Sequence, residues 1–143
     1  MANFKVKKGK KFFWGPRLNF FTKNHREFHV RAFFMDDCKY QLNENYDQIN
    51  KLTGQSYNLM PFYDRDTKSW KPGHHKNSVR FGWRCLDGER IEILAYVYID
   101  KVRKDRVLLS IGTGEWVHLS FIETEEYYTF NALSEEGEGR IVK

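Results

Sequence analysis

The sequence has few cysteines and no long apolar run, and both shortages exclude classes of protein. Only two of its 143 residues are cysteine, Cys38 and Cys85, and they do not form a C-x-x-C pair. A zinc site would need several histidine ligands beside them, so we predict no metal site and no cofactor. No window approaches the roughly 18 consecutive apolar residues that a membrane helix requires. We therefore expect no membrane partner.

The N-terminus lacks the pattern of a secretory signal. Basic residues follow Met1, but no apolar stretch with a small-residue cleavage site comes after them. We therefore expect a cytoplasmic protein in which both cysteines stay reduced.

The composition is that of a folded domain. Apolar residues make up 41% of the chain and charged residues 30%, which excludes a disordered tail. The length is typical of one domain with one core. We therefore predict a single β-rich domain over residues 1–143.

Positive charge exceeds negative charge and is unevenly distributed. The formal net charge is +5, and residues 5–11 hold five lysines and no acid. Acidic residues gather instead at 123–126 and 135–138. Such a field favours an anionic partner, because it raises the encounter rate and the local ligand concentration. A solvated surface that keeps the protein soluble explains the N-terminal lysines equally well.

Alternation of apolar and polar residues predicts β-strands along most of the chain. The strongest pattern is the run 79–84, which an Asp87-Gly88 turn joins to a longer strand at 91–99. Other strands are predicted at 27–35, 107–111, 116–122 and 127–130, with short ones before residue 22. The last five strands of the chain, with a hairpin turn at 112–114, predict an antiparallel meander.

One short helix is predicted near residues 45–53. Asn43 or Asn45 would cap it, and Gly54 would end it. It spans at most about three turns and so depends on packing for its stability. The predicted fold is therefore mainly all-β, an antiparallel β-sandwich or open barrel of roughly eight to ten strands.

The segment between Gly54 and Ser78 has no strand periodicity and ends in the candidate binding site. Long ordered loops on a rigid scaffold often carry function. The predicted ligand-binding residues are Tyr63, Trp70, His74, His75, Lys76, Asn77, Arg80 and Arg84. The polar loop side chains and the backbone N–H groups after Gly73 would contact phosphate, and the two arginines would neutralise it. The flanking rings of Trp70, Tyr63 and Phe62 could stack on a base or sugar ring, and Trp70 or Tyr63 is the residue assigned to this role.

This prediction requires Arg80 and Arg84 to converge with the two histidines. Both arginines lie on one strand face with Gly82 between them, and Gly82 would let a ligand approach the backbone. The alternative is that the arginines lie on a solvated sheet face and the histidines belong to an ordinary polar loop.

The predicted function is a non-catalytic binding module for a phosphate-bearing small molecule. A nucleotide or cyclic nucleotide is the favoured ligand, which the protein would sequester, and no catalytic residue is assigned. A domain of this size can form its site between two copies, so a homo-oligomer stays open.

Three other functions fit parts of the sequence. Single-stranded nucleic acid or RNA binding would use the lysines at 5–11 along the backbone and exposed aromatic rings for stacking. A carbohydrate-binding sandwich would use Tyr96 and Tyr98, which could equally form a second buried face. A phosphoesterase would use His118 and Ser120, a single copy of a His-x-Ser motif that such enzymes use in pairs.

Overall fold

Ten β-strands and two single-turn 3₁₀ helices make up the computed structural model, which describes residues 27–40, 49–58, 60–85, 88–135, 137 and 139–142. The strands are β1 (Glu27–Phe33), β2 (Asn50–Ser56), β3 (Phe62–Asp64), β4 (Ser69–Lys71), β5 (Ser78–Cys85), β6 (Ile91–Ile99), β7 (Val102–Ile111), β8 (Trp116–Glu123), β9 (Tyr128–Ser134) and β10 (Gly139–Val142). The 3₁₀ helices are Asp36–Cys38 and Gly73–His75. No helix among these residues is long and apolar enough to cross a membrane.

The strands form two four-stranded antiparallel sheets and one short hairpin. Sheet I has the order β1-β8-β9-β10, sheet II has the order β2-β5-β6-β7, and β3 pairs with β4. Each sheet keeps two edge strands, so the described strands do not close into a barrel. The all-β prediction is confirmed.

The main hydrophobic core lies between the two sheets, and a smaller buried cluster of Ile49, Leu94 and Tyr96 lies on the other face of sheet II. Alternation along β5 buries Val79, Phe81 and Cys85 on one face, and alternation along β8 buries Val117, Leu119 and Phe121. Phe81 of sheet II packs edge-on against Phe130 of sheet I, with ring centroids 5.3 Å apart. Burial of these side chains is the main force that holds the sheets together.

The predicted meander is divided between the two sheets. Strands β5, β6 and β7 are joined as a meander, and the β6–β7 turn uses Asp100 and Lys101 at positive φ values of 48° and 71°. Two successive positive φ values are typical of a tight hairpin turn. Strands β7 and β8 do not pair, so the hairpin predicted at 112–114 is wrong: this segment carries the chain from sheet II to sheet I.

The helix predicted near residues 45–53 is also wrong where the structure describes it. Residues 50–53 belong to β2, which pairs with β5, whereas residues 45–48 lie outside the described part of the chain. A three-turn helix has a costly nucleus, and pairing with the long strand β5 satisfies the same backbone groups. The short strands predicted before residue 22 lie outside the described residues as well.

Candidate anion-binding site

The outer face of sheet II, which points away from the core, carries the candidate site. Arg80 of β5 lies on this face directly opposite Tyr96 of β6. Tyr98 follows Tyr96 on the same face, because side chains two apart on a strand share a side. The amino group of Lys51 on β2 lies 5.3 Å from the centre of the Tyr96 ring. The central part of the site therefore consists of two tyrosine rings with the cations Arg80 and Lys51 beside them.

A tight 3₁₀ turn brings two histidines onto this face. Gly73 begins the turn and packs so closely that a Cβ atom there would lie 2.4 Å from the carbonyl oxygen of Asn58. The hydroxyl of Ser78, the first residue of β5, donates a 2.8 Å hydrogen bond to the carbonyl of His74. These contacts fix the positions of His74 and His75 relative to the sheet.

Four rings then pack into what we call the ring cluster, which consists of His74, His75, Tyr96 and Tyr98. His75 stacks on Tyr98 with centroids 5.0 Å apart and ring planes within 6° of parallel. His74 meets His75 edge-on at 4.5 Å, and the Tyr96 hydroxyl donates to the Tyr98 hydroxyl at 3.5 Å. The cluster combines aromatic surface with hydroxyl and imidazole hydrogen-bonding groups.

Arg80 is a partly buried cation that lacks a compensating anion. Burial lowers the pKa of its guanidinium, and the nearby titratable groups that oppose this effect are the hydroxyls of Tyr96 and Tyr98. Within the described ranges, no carboxylate forms an ion pair with Arg80. A buried charge is costly unless it is paired, so this position favours an incoming anion.

The histidines of the ring cluster feel the same positive field. The pKa of His74 falls from 6.5 to about 4, because burial and the nearby charges of Arg80, His75 and Lys51 all disfavour its protonated form. Burial and the charges of Lys51, Lys71 and Arg80 lower the pKa of His75 in the same way. His74 is therefore neutral at pH 7, with one ring nitrogen able to donate a hydrogen bond.

A cavity of about 300 Å³ opens beside the ring cluster. Its lining residues are Phe62, Asp64, Lys71, His75, Tyr98, Lys101 and Arg103. Lys71 contacts Asp64 at 2.6 Å, and this hydrogen bond is the main reason that the pKa of Asp64 falls to about 2. Lys101 lies with its amino group 5.4 Å from the centre of the Phe62 ring. The cavity is at the small end of the range for ligand pockets.

Family models, curated proteins and solved structures contain no match to this chain. The chemistry of the site is therefore inferred from its own residues. In the part of the chain that the structure describes, no three His, Cys, Asp or Glu side chains are grouped to hold a metal ion. The groups that do converge are cations, neutral hydrogen-bond donors and aromatic rings, which together suit an anionic ligand with a planar ring.

The two predicted arginines do not converge. Arg84 forms an ion pair with Glu92 at 2.7 Å, and residues four apart on a strand are separated by about 13 Å. The space over Gly82 is filled as well, because a Cβ atom there would lie 2.4 Å from Cγ2 of Ile49. Arg80 alone therefore accompanies the histidines, and Gly82 gives room to Ile49 instead of a ligand.

The predicted stacking residues face away from the cavity. Tyr63 and Trp70 pair across the β3–β4 hairpin, with ring centroids 5.8 Å apart. Their neighbours Phe62 and Lys71 line the cavity from the other face of the same hairpin. Phe62 is thus the ring of this hairpin that lines the cavity. The Trp70 side chain lies on the opposite face of the hairpin and is 72% exposed to solvent.

The remaining loop residues act within the fold. The side-chain oxygen of Asn77 accepts a 2.8 Å hydrogen bond from the backbone N–H of Asp100, so Asn77 holds the β6–β7 turn. The backbone N–H groups of His75 and Lys76 donate to carbonyls within their own turn. They are not free to cradle a phosphate, as the sequence had suggested, and the Lys76 side chain is exposed.

The His-x-Ser motif lies on the other sheet. His118 is exposed on the outer face of β8, opposite Arg31 of β1 and Leu133 of β9. Ser120 follows on the same face. Neither residue lines the cavity or belongs to the ring cluster on sheet II.

Proposed function

We propose that the protein binds a phosphate-bearing small molecule of the nucleotide class at Arg80 and the ring cluster. The observation that supports this function is the uncompensated, partly buried guanidinium of Arg80. A phosphate would supply the missing negative charge and match the paired N–H groups of a guanidinium. The neighbouring cavity offers the rings of Phe62 and Tyr98 to a base or sugar.

The charges around His74 favour binding over catalysis. A general base works best when its pKa lies near the operating pH. The pKa of His74 is about 4, so this imidazole is a weak base at neutral pH. We therefore propose that His74 forms a hydrogen bond with the ligand, and that the protein sequesters the ligand without changing it chemically.

Two matched arginine variants test this function. Arg80→Gln and Arg84→Gln remove the same charge from the same strand, but Arg84 already has Glu92 as its partner. Nucleoside 5′-monophosphates should raise the melting temperature of the wild type, since a ligand at about 100 times its Kd adds roughly 2.7 kcal/mol to folding. In calorimetric titrations Arg80→Gln should weaken binding at least tenfold, and Arg84→Gln less than twofold. Equal losses in both variants, or no melting shift with any nucleotide, would contradict the proposal.

One observation favours single-stranded nucleic acid as a second candidate ligand. The rings of Trp70 and Tyr63 form a contact on an exposed hairpin face, where bases can stack. Salt separates the two ligands, because a polymer that neutralises several phosphate contacts loses affinity steeply as salt rises. We expect nucleotide binding to change little between 50 and 200 mM salt, a range in which roughly 6–10 phosphate contacts would cost at least about 10³-fold. A steep salt dependence with oligonucleotides would favour the second candidate.

A further inference from the structure

Two cations that form no ion pair with a carboxylate of the described residues lie near the stacked pair His75–Tyr98. Arg80 is close to both histidines, and Lys101 lines the cavity together with His75 and Tyr98. The Lys101 amino group lies against the Phe62 ring, and no carboxylate of the described residues forms an ion pair with it. The positive charge around the stacked pair is therefore concentrated at two separate places.

The other cavity cations are already neutralised. Lys71 pairs with Asp64 at 2.6 Å, and Arg103 pairs with Asp105 at 3.0 Å. The negative charges of Asp64 and Asp105 reduce the attraction of Lys71 and Arg103 for a further anion. Lys101 is thus the cavity cation best placed to bind a second anionic group.

The spacing of the two cations limits what can bridge them. Arg80 lies opposite Tyr96, and Lys101 lies in the turn that follows Ile99, the last residue of β6. The chain reverses in this turn, three to four residue rises beyond Tyr96, so at roughly 3.3 Å per residue the two backbone positions are about 10–13 Å apart along the strand. Lys101 lines the cavity and Arg80 does not, so a ligand that contacts both must extend from Arg80 into the cavity, which suits two phosphates separated by a nucleoside.

We infer that the ligand carries two phosphate groups separated by one nucleoside-sized unit, with one phosphate at Arg80 and His74 and the other at Lys101. The connecting unit occupies the cavity against Phe62 and Tyr98. A dinucleotide with two phosphates, linear or cyclic, has this chemistry. The inference rests on the proposed function and specifies its ligand class.

Calorimetric titration of the full chain tests the inference. The probes are the four ribonucleoside 5′-monophosphates, the matching 5′-diphosphates and the matching 5′-phosphorylated dinucleotides. Because the second phosphate binds as part of a molecule already held, we expect a dinucleotide to bind at least tenfold more tightly than its monophosphate or diphosphate. Lys101→Gln should remove that gain, because it should lower the affinity for the dinucleotide at least tenfold more than the affinity for the monophosphate. Arg80→Gln should weaken all three ligand types.

Lys104→Gln is the matched control. Lys104 is exposed on β7 opposite Val97, so it lies on the other face of the strand from Arg103 and the cavity. This variant changes the net charge as Lys101→Gln does and should leave every affinity within twofold. A loss equal to that of Lys101→Gln would overturn the inference, because it would reflect net charge alone.

The outcomes separate this inference from the proposed function. If monophosphates and dinucleotides bind with equal affinity and Lys101→Gln changes neither affinity, the two-phosphate ligand is ruled out, but the phosphate site at Arg80 is not. No binding of any probe overturns both. Much tighter binding of longer oligonucleotides, with a steep salt dependence, also overturns both and identifies a polymer as the ligand.

Discussion

Cross-strand neighbours decide why Arg80 is available for an anion and Arg84 is not. The residue opposite Arg84 on β6 is Glu92, and the residue opposite Arg80 is Tyr96. Directly opposed side chains in an antiparallel pair lie close enough to form an ion pair. The Glu92 carboxylate therefore neutralises Arg84. Arg80 instead faces Tyr96, which stays neutral because burial raises its pKa. Two arginines that look equivalent in the sequence thus have different roles.

His74 should make the stability of the protein depend on pH between about 6.5 and 4. Its pKa is about 4 in the folded protein, against 6.5 for an ordinary histidine. As the pH falls through 6.5 the unfolded chain binds a proton there and the folded chain does not, so the free energy of unfolding decreases. His74→Gln should make this decrease smaller. Urea unfolding at pH 7.5, 6.5, 5.5 and 4.5 measures it.

Asp64, the other group of the site with a strongly shifted pKa, does not contribute to the change in stability between about pH 6.5 and 4. The pKa of Asp64 is about 2, against 3.8 for an ordinary aspartate, so its contribution is lost only below about pH 4. His75→Gln should act in the same direction as His74→Gln, because burial and cations also lower the pKa of His75. His118→Gln, on the exposed face of sheet I, is the control. An unchanged pH profile in His74→Gln would contradict the prediction.

At the scale of elements, the close approach of β2 to β5 depends on Gly54. This residue has a φ of 146°, and a Cβ atom there would lie 2.3 Å from the carbonyl oxygen of Val79 and 2.5 Å from Cα of Arg80. Backbone atoms cannot move aside as a flexible side chain can. Gly54→Ala should therefore cost about 3 kcal/mol of unfolding free energy, from overpacking and backbone strain together. Denaturant unfolding measures the loss.

Gly114 supplies the matched comparison. It also has a positive φ, 86°, but nothing lies within 4 Å of the position that a Cβ atom would take. Gly114→Ala should cost about 1 kcal/mol, from the backbone conformation alone. If the two variants lose the same stability, contact between β2 and β5 is not the cause.

The alternation of apolar and polar residues in the sequence predicted the strands well. It also restricts how β5 and β6 can pair, and this pairing positions Arg80. On the face that packs against sheet I, the buried residues of β5 and β6 are all odd-numbered. Residues opposed in an antiparallel pair share a face, so odd must pair with odd. A two-residue turn at Asp87-Gly88 would pair Leu86 with Glu89 and break this rule. The observed pair Cys85–Ile91 obeys it and places Arg80 opposite Tyr96.

The short hairpin marks where the sequence was insufficient. Strands β3 and β4 have three residues each, too few for alternation to reveal which face is inside. Tyr63 and Trp70 were therefore chosen over Phe62 as stacking residues, although Phe62 and Lys71 line the cavity. The contribution of Lys101 was equally hidden, because it depends on how the β6–β7 turn meets the loop at Lys76, whose carbonyl accepts the Lys101 N–H.

For the whole molecule, the sequence could not assign strands to sheets. Alternation shows which residues of a strand are buried but not which strand pairs with it, so β7 and β8 looked like a hairpin. In the structure β7 and β8 belong to different sheets, which pack face to face through contacts such as that of Phe81 in sheet II with Phe130 in sheet I. Association of the two sheets therefore depends on contacts between residues far apart in the chain, which no local pattern records.

Tyr57 adds a polar contact between the sheets, and its loss should weaken the whole fold. Tyr57 follows β2 of sheet II, and its hydroxyl donates a 2.7 Å hydrogen bond to Glu123, the last residue of β8 in sheet I. Gln55 donates to the same hydroxyl at 2.8 Å. Tyr57→Phe keeps the ring and removes both bonds, so we expect a loss of about 2 kcal/mol, since one partner is charged.

Tyr63→Phe is the control for this prediction, because the Tyr63 ring is exposed on the β3–β4 hairpin and joins no sheet to another. It should change the free energy of unfolding by less than about 0.5 kcal/mol. Neither tyrosine contributes to the proposed phosphate contacts, so both variants should bind nucleotides as the wild type does under conditions where they are folded. If Tyr57→Phe is as stable as Tyr63→Phe, the apolar core holds the two sheets together without help from this hydrogen bond.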